Sequence, residues 1–122
     1  MSGVTGPRNA DEELTADTCL TLLSNAHRRA VLLTIYDRVA DDVGDEPVPV
    51  EETVDGSIPE PVEMSLNHNH LPKLAEHDVV RWDREAGTVV AGSAFSRIEP
   101  FIARLDGDRE RLPNDWRPDI DR

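Results

Sequence analysis

The sequence predicts a single α+β domain, mostly helical, with a small antiparallel β-hairpin. Several segments repeat apolar residues with the spacing of an α-helix. One segment, Val79 to Ala91, changes to the period of a β-strand on either side of a glycine-containing turn. The chain has 122 residues, which suits one domain with a modest core.

Two helices are predicted near the start of the chain, after a polar and acidic arm at residues 1–13 that we expect to be disordered. Thr15 is suited to cap a helix through Leu23, and Ser24-Asn25 interrupts it and caps a helix from Ala26 to about Ala40. Their apolar sets are Cys19, Leu20, Leu22 and Leu23 in the first helix, and Val31, Leu32, Ile35, Tyr36 and Val39 in the second.

The next stretch predicts short elements. The segment from Asp41 to Glu46 predicts a solvated acidic turn. Pro47-Val48-Pro49-Val50 predicts an edge strand, because its prolines cannot donate to a ladder. Glu51 to Val54 allows one helical turn, and a loop from Ser57 to Glu60 would lead to Pro61 at the first position of the following helix.

Val62 to Asp78 has the clearest helical pattern. Val62, Leu66, Leu71 and Leu74 share one arc, with Met64 and Ala75 at its edge. The opposite arc holds Ser65, His68, Asn69, Pro72 and Glu76. Since Pro72 lacks a backbone donor and crowds the carbonyl four residues back, we expect a kink near His68.

A hairpin follows this helix directly. Val80 and Trp82 are predicted to point to one side, and Val79 and Arg81 to the other. The turn Asp83-Arg84-Glu85-Ala86-Gly87 favours a positive φ at Gly87. A helix followed at once by a hairpin is typical of a winged helix-turn-helix, in which the Pro47 segment would be the third strand of the wing sheet.

A last helix is predicted after Ser93, which is suited to cap it, with a kink at Pro100. This helix would either pack on the first helix of its own chain or pair with a second subunit, and the sequence leaves both open. In the dimer, the contacting residues would be Phe95, Ile98, Ile102 and Leu105, with Phe101 on the same stripe. The domain would span residues 14–106, followed by a charged, loosely ordered tail at 107–122 that contains Trp116.

The composition is strongly acidic. The net charge is −12, the pI is near 4.6, and Lys73 is the only lysine among 13 basic residues. We interpret this as adaptation to high salt, where the Debye length falls to about 3 Å and an acidic coat causes little repulsion. An ordinary acidic protein is the alternative. On this interpretation the charge does not exclude DNA as a partner.

Cys19 is the single cysteine, so no intrachain disulfide can form, and a buried thiol is expected. The start of the chain lacks the pattern of a signal peptide, and no apolar run approaches the roughly 20 residues that span a bilayer. We therefore expect a cytoplasmic protein without membrane contact.

Two motifs carry a resemblance to known proteins: LSNAHRRAVL at Leu23 to Leu32, and HLPKLAEHDVVRWD at His70 to Asp83. Over about Thr18 to Ala91 the chain resembles a haloarchaeal winged-helix domain of unknown function. It is also similar to the wider arsenical-resistance-repressor type of winged helix. The resemblance implies a transcription regulator. Metal-sensing members use cysteine pairs, which this chain lacks.

The leading hypothesis is therefore a dimeric, sequence-specific DNA-binding regulator. The helix around residues 61–77 would read bases in the major groove through Ser65, His68 and Asn69. Phosphate contacts would come from Lys73, Arg81, Arg84, Arg28 and Arg29. For the two arginines at the start of the second helix, an acidic neighbour such as Asp17 is the alternative partner.

Other functions have less support. His68, His70 and His77 lack the four-residue spacing of a helical zinc site, so no metal or cofactor is predicted and His70 is expected to pack or cap. No catalytic constellation is present, so we expect no enzyme. The rival hypothesis is a winged helix that binds protein, for which the apolar stripe from Phe95 to Leu105 and the nearby Trp82 would stay exposed.

Overall fold

The computed structural model describes residues 14–53 and 60–117; for Val62 and Glu63 it describes only the backbone. The predicted arm at 1–13, the residues 54–59 and the residues 118–122 lie outside the described residues. The helices are α1 (Ala16–Leu23), α2 (Ala26–Ala40), α3 (Val50–Thr53), α4 (Glu60–Ser65), α5 (Leu71–Glu76) and α6 (Phe95–Gly107). The strands are β1 (Val48–Pro49), β2 (Val80–Asp83) and β3 (Thr88–Ala91).

Side-chain caps start α1 and α2 where the sequence predicts. The Thr15 hydroxyl accepts from the Thr18 N–H at 3.1 Å, and the Asn25 side chain accepts from the N–H groups of His27 and Arg28. The predicted apolar face of α1 needs one correction, because Leu20 is 51% exposed. Cys19 and Leu22 are buried. Around the helix axis the Leu20 side chain is rotated by about 100° from Cys19 and by about 200° from Leu22, so it points away from the core.

Helix α2 lies at the centre of the fold. Its middle is buried around more of its circumference than the predicted stripe, since Ala30 and Leu33 are also inside. The helix contacts α1, α3, α6 and β3. Cys19 is buried as expected, and burial raises the pKa of its thiol. Within the described ranges no helix is both long and apolar enough to cross a membrane.

The three strands form one antiparallel sheet in the order β1-β3-β2. Val89 pairs with Val48 on one side and with Trp82 on the other, so the proline-containing β1 is an edge strand, as predicted. The β2–β3 turn also follows the prediction, because Gly87 has φ +70° and its N–H donates to the Asp83 carbonyl at 2.8 Å. This architecture confirms the predicted α+β class and is consistent with a winged-helix-like fold.

The helix expected around residues 61–77 consists of α4, a π-helical turn at Leu66–His70 and α5, and we call residues 60–76 the central helix. The Leu71 N–H donates to the Leu66 carbonyl, five residues back. A π turn thus occupies the position near His68 where the sequence predicts a kink. Such a turn widens the helix just before Pro72, whose ring would otherwise crowd the His68 carbonyl.

The central helix ends in a Schellman motif. Asp78 has φ +62°, its N–H donates to the Ala75 carbonyl, and the Val79 N–H donates to the Leu74 carbonyl. The Asp78 carbonyl then accepts from the Ala94 N–H at 2.8 Å. This bond holds the entry to α6, where the predicted cap is wrong: Ala94, not Ser93, occupies the N-cap position, without a side-chain hydrogen bond.

Gly92 lies against the end of the central helix, and replacement by alanine tests that contact. A Cβ at Gly92 would be 2.3 Å from the Asp78 carbonyl oxygen, so the backbone would have to shift. We expect Gly92→Ala to lower the free energy of unfolding in urea by about 1–3 kcal/mol. Gly107→Ala is the matched control, because nothing lies within 4 Å of its Cβ, and no loss is expected. Equal stability of both variants would contradict the close approach.

Helix α6 packs inside its own chain. Phe95, Ile98 and Ile102 are buried in the core, and the helix contacts α2. The assignment of these three residues to a dimer interface is therefore wrong, because buried side chains have no surface left for a second subunit. Leu105 is half-buried beside Leu112 and Trp116 of the same chain. Of the alternatives left open, packing on the chain's own helices is the one observed.

The described tail residues pack against the body of the protein, which corrects the expectation of a loose segment from residue 107. The buried Asp106 carboxylate accepts from Trp116 Nε1 at 3.0 Å and from Arg117 Nε at 2.8 Å. Arg117 also pairs with Asp37 of α2 at 3.0 Å. Trp116 is thereby held in the core. The tail closes over α2 because one buried carboxylate collects donors from three tail residues, the third being Arg109 at 3.0 Å.

The hydrogen bonds from Arg117, and also that from Trp116, hold the pKa of Asp106 below its usual value of 3.8, while burial opposes this shift. Its stabilisation is therefore complete above the unfolded pKa and is lost as pH falls through the window below 3.8. We expect Asp106→Asn to lower the free energy of unfolding by about 1–3 kcal/mol near pH 7. This gap, the difference in free energy of unfolding between the variant and the wild type, should narrow towards about pH 3.

Urea titrations at several pH values measure that gap. Asp115→Asn is the control, because its exposed side chain accepts no hydrogen bond among the described residues, and a change within about 0.5 kcal/mol is expected. A gap for Asp106→Asn that does not depend on pH would contradict the role of its charge.

Candidate nucleic-acid interface

The outer face of the central helix is polar and accessible. Leu66, Leu71 and Leu74 are buried and fix one side of this helix against the core. His68 and Asn69, in the π turn, are exposed on the other side. Ser65 is half-buried next to them, and Lys73 is half-buried one turn further on. The structure thus brings the predicted base-contacting residues together on one short stretch, with side-chain amide, imidazole and hydroxyl groups that can bond to base edges.

The hairpin formed by β2, β3 and their turn, residues 80–91, which we call the wing, presents two arginines. Arg81 is exposed and pairs across the sheet with Val90, on the face opposite to the buried Val80. Among the described residues Arg81 makes no hydrogen bond or ion pair. The Arg84 guanidinium lies 4.9 Å from the centroid of the Trp82 ring. These residues line a shallow groove of about 560 Å³ together with Pro47 and Val90. Both arginines can therefore reach an external anion.

Arg28 does not belong to this surface, which corrects its assignment as a phosphate contact. Its side chain is buried, with 9% of the residue exposed. It donates to the Leu22 carbonyl at 3.0 Å, the Thr21 carbonyl at 2.8 Å and His70 Nδ1 at 3.1 Å. Burial lowers its pKa. The positive charge in the first turn of α2 thus meets the carbonyl end of α1, where helix polarity favours a cation.

Arg29 is also held inside the fold, which corrects its assignment as a phosphate contact. Its guanidinium donates at 2.8 Å to three carbonyls, those of Leu23, Asp115 and Trp116. It also lies 5.9 Å from the centroid of the Trp116 ring. The expected alternative partner, Asp17, contacts neither arginine. A sequence signal for this arrangement exists in retrospect: both arginines follow the last turn of α1 by about six residues, close enough to cap it.

The histidines do not form a metal site in the described parts of the chain, where no group of three or more potential ligands meets. His70 is half-buried and packs as expected, with its ring centroid 6.0 Å from that of His27. Burial, Arg28, His27 and Lys73 all lower the pKa of His70. The buried Nδ1 of His77 has no hydrogen-bond partner in the described chain.

Acidic residues flank the basic ones. Glu76 and Asp78 follow Lys73, at the end of the central helix and just beyond it, and Asp83 and Glu85 alternate with Arg81 and Arg84 on the wing. The surface therefore carries few unopposed positive charges. A nucleic-acid complex on this face would depend on short-range contacts, since a weak field gives little long-range attraction and few counterions to release.

The two kinds of arginine should respond differently to substitution. Arg28→Gln removes the guanidinium that donates to the buried Leu22 carbonyl and, in a half-buried hydrogen bond, to the Thr21 carbonyl, so we expect the free energy of unfolding to fall by about 1–3 kcal/mol. Arg81→Gln is the matched control on the wing and should change it by less than about 0.5 kcal/mol. Urea unfolding measures both. A stable Arg28→Gln protein would show that the guanidinium is not needed at the end of α1.

Comparison with known proteins identifies one family. No match was found among curated proteins or among solved structures. A family model described as a domain of unknown function, DUF7344, matches residues 20–90. These residues begin within α1 and end within β3, so they include the central helix and most of the wing. The match covers more than half of the chain, and the protein therefore belongs to the DUF7344 family.

Proposed function

We propose that this protein is a sequence-specific regulator of transcription that binds double-stranded DNA. The observation that carries the proposal is the central helix, which is fixed to the core by Leu66, Leu71 and Leu74 and presents His68 and Asn69 outward. A hairpin with two accessible arginines follows it after three residues. This is the order in which winged helices place a base-reading helix and a phosphate-contacting wing.

Each group then has a role. Asn69 can bond in a bidentate way to adenine, and His68 and Ser65 can bond to base edges or phosphates. Arg81, Arg84 and Lys73 would hold the backbone of the DNA. Arg28 and Arg29 are excluded because they are engaged inside the fold. If the protein is a dimer, its interface must lie outside the buried residues Phe95, Ile98 and Ile102.

The acidic surface fits the same proposal in a salt-adapted, haloarchaeal protein of the arsenical-resistance-repressor type, which the two sequence motifs resemble. At molar salt, attraction between distant charges is screened within about 3 Å. Binding would then rest on direct contacts by the central helix and the wing. The affinity for DNA would also depend only weakly on salt concentration, because only about two or three phosphates would be contacted.

One observation supports the rival function, a winged helix that binds protein. The predicted apolar stripe is unavailable, because most of it is buried. The groove on the wing nevertheless combines Pro47, Trp82 and Val90, which are suited to an apolar peptide side chain. Of the large hydrophobic side chains in the described chain, Leu20 and Met64 are the exposed ones, at 51% and 57%.

Selection of genomic DNA fragments in about 2 M potassium chloride tests the proposal under the salt-adapted condition. We expect a shared site to be enriched by the wild type and lost with His68→Ala plus Asn69→Ala, since each base contact contributes about 1–3 kcal/mol. Arg81→Ala plus Arg84→Ala should weaken binding to all sequences alike.

Arg104→Ala plus Arg111→Ala is the control, because these exposed arginines lie on α6 and the tail. It should bind as the wild type does. Failure of the folded wild type to enrich any site at low and high salt would exclude the proposal. Retention of a partner protein that Trp82→Ala abolishes would then favour the protein-binding function.

A further inference from the structure

One half-buried contact joins the central helix to the first two helices. The Arg28 guanidinium is fixed by the Leu22 and Thr21 carbonyls of α1, and its remaining Nη1 donates to His70 Nδ1 at 3.1 Å. We call this Arg28–His70 contact the latch. Since it spans 42 positions in sequence, it ties the π turn to the body of the protein.

The chemistry of the latch determines the proton content of His70. An arginine guanidinium offers only donors, so Nδ1 must accept and a neutral imidazole must carry its hydrogen on Nε2. Protonation would place an N–H on Nδ1 and a positive charge opposite another positive charge at 3.1 Å. The contact therefore exists only while His70 is neutral.

The surroundings of His70 give no compensation for a second positive charge. From α2 it faces Arg28 and the ring of His27, whose centroid is 6.0 Å away. On its own helix it faces Lys73. Helix α1 contributes the Leu22 and Thr21 carbonyls, which are already bonded to Arg28. Within the described residues no carboxylate raises the pKa of His70, whereas burial and these three cationic or ionisable neighbours lower it.

We propose that the latch is a pH-sensitive switch that holds the π turn of the central helix in place when His70 is neutral and releases it on acidification. The regulatory part, weaker DNA binding at low pH, rests on the proposed function. The latch itself does not, because it concerns the packing of the central helix. His68 and Asn69 lie two residues and one residue before His70, so release of His70 frees the segment that would read bases.

The direction of the pH effect follows from linkage. A histidine with a lowered pKa in the folded state binds a proton more weakly there than in the unfolded chain. Stability is therefore full above the ordinary value of 6.5 and falls as pH drops through the window below it. For one such proton the unfolding equilibrium constant can rise by up to about tenfold between about pH 7.5 and pH 5.5.

The first test needs no DNA. Histidine ring signals in NMR spectra of the full chain give the titration of His70, which we expect below 6.5. Urea unfolding at both pH values should show the acid loss for the wild type and for the control His68→Asn, whose ring is exposed. His70→Asn should lack the His70 share of that loss, because its Oδ1 can occupy the position of Nδ1 as an acceptor that does not titrate.

Either of two results would contradict the latch. Titration of His70 at or above 6.5, or an acid loss in His70→Asn equal to that of the wild type, would overturn the latch. Should His70→Asn not fold, His70→Gln and the wild-type titration decide the same question.

The second test measures affinity for the selected DNA site at both pH values. We expect the wild type to bind up to about tenfold more weakly at the lower pH and His70→Asn to bind alike at both. The same acid loss of affinity in His70→Asn would overturn regulation through the latch. Absence of DNA binding at every pH, with the expected titration of His70, would reject the proposed function and leave the latch intact.

Discussion

Two consecutive guanidinium groups at the start of α2 hold the fold together. Helix α1 has only two turns, and among the described residues its Leu22 and Leu23 carbonyls would have no donor without these arginines. Arg28 and Arg29 supply those donors at 2.8–3.0 Å and then reach in different directions, Arg28 to His70 in the central helix and Arg29 to the carbonyls of Asp115 and Trp116. These two consecutive arginines thus position both the central helix and the tail.

Features that depend on residues close together in the sequence are the ones that can be predicted from it. Thr15, Asn25, Pro49 and Gly87 act on backbone within a few positions, so their caps, edge strand and turn are visible in the sequence. Helical and strand periods give the central helix and the wing for the same reason. The polar face of the central helix follows from that periodicity and is the part of the candidate site that sequence alone supplies.

What the sequence does not reveal depends on contacts between distant segments. Arg28 meets His70 across 42 positions and Arg29 meets Trp116 across 87, so charge alone made them look like phosphate ligands. The apolar stripe of α6 has the same appearance whether it packs inside the chain or between chains. Likewise, Ser93 is a good cap by type, but the Asp78 carbonyl already holds the entry to that helix.

The internal use of arginines limits how so acidic a protein could hold DNA. Arg28 and Arg29 donate to backbone carbonyls inside the fold, so fewer positive charges are available at the surface than the sequence composition suggests. Recognition would have to come from shape and hydrogen bonds at the central helix, which makes the placement of that helix decisive.

The π turn determines which side of that helix faces outward. Each residue of an α-helix turns the chain by about 100°, so a turn with one extra residue shifts everything before it relative to everything after it. Leu66 and Leu71 both face the core although they are five residues apart, because the π turn accommodates the additional residue. Deletion of a single amino acid between residues 66 and 70 would therefore convert this turn to an ordinary α-helical turn and change the side chains that it presents outward, while Leu66 and Leu71 keep their places in the core.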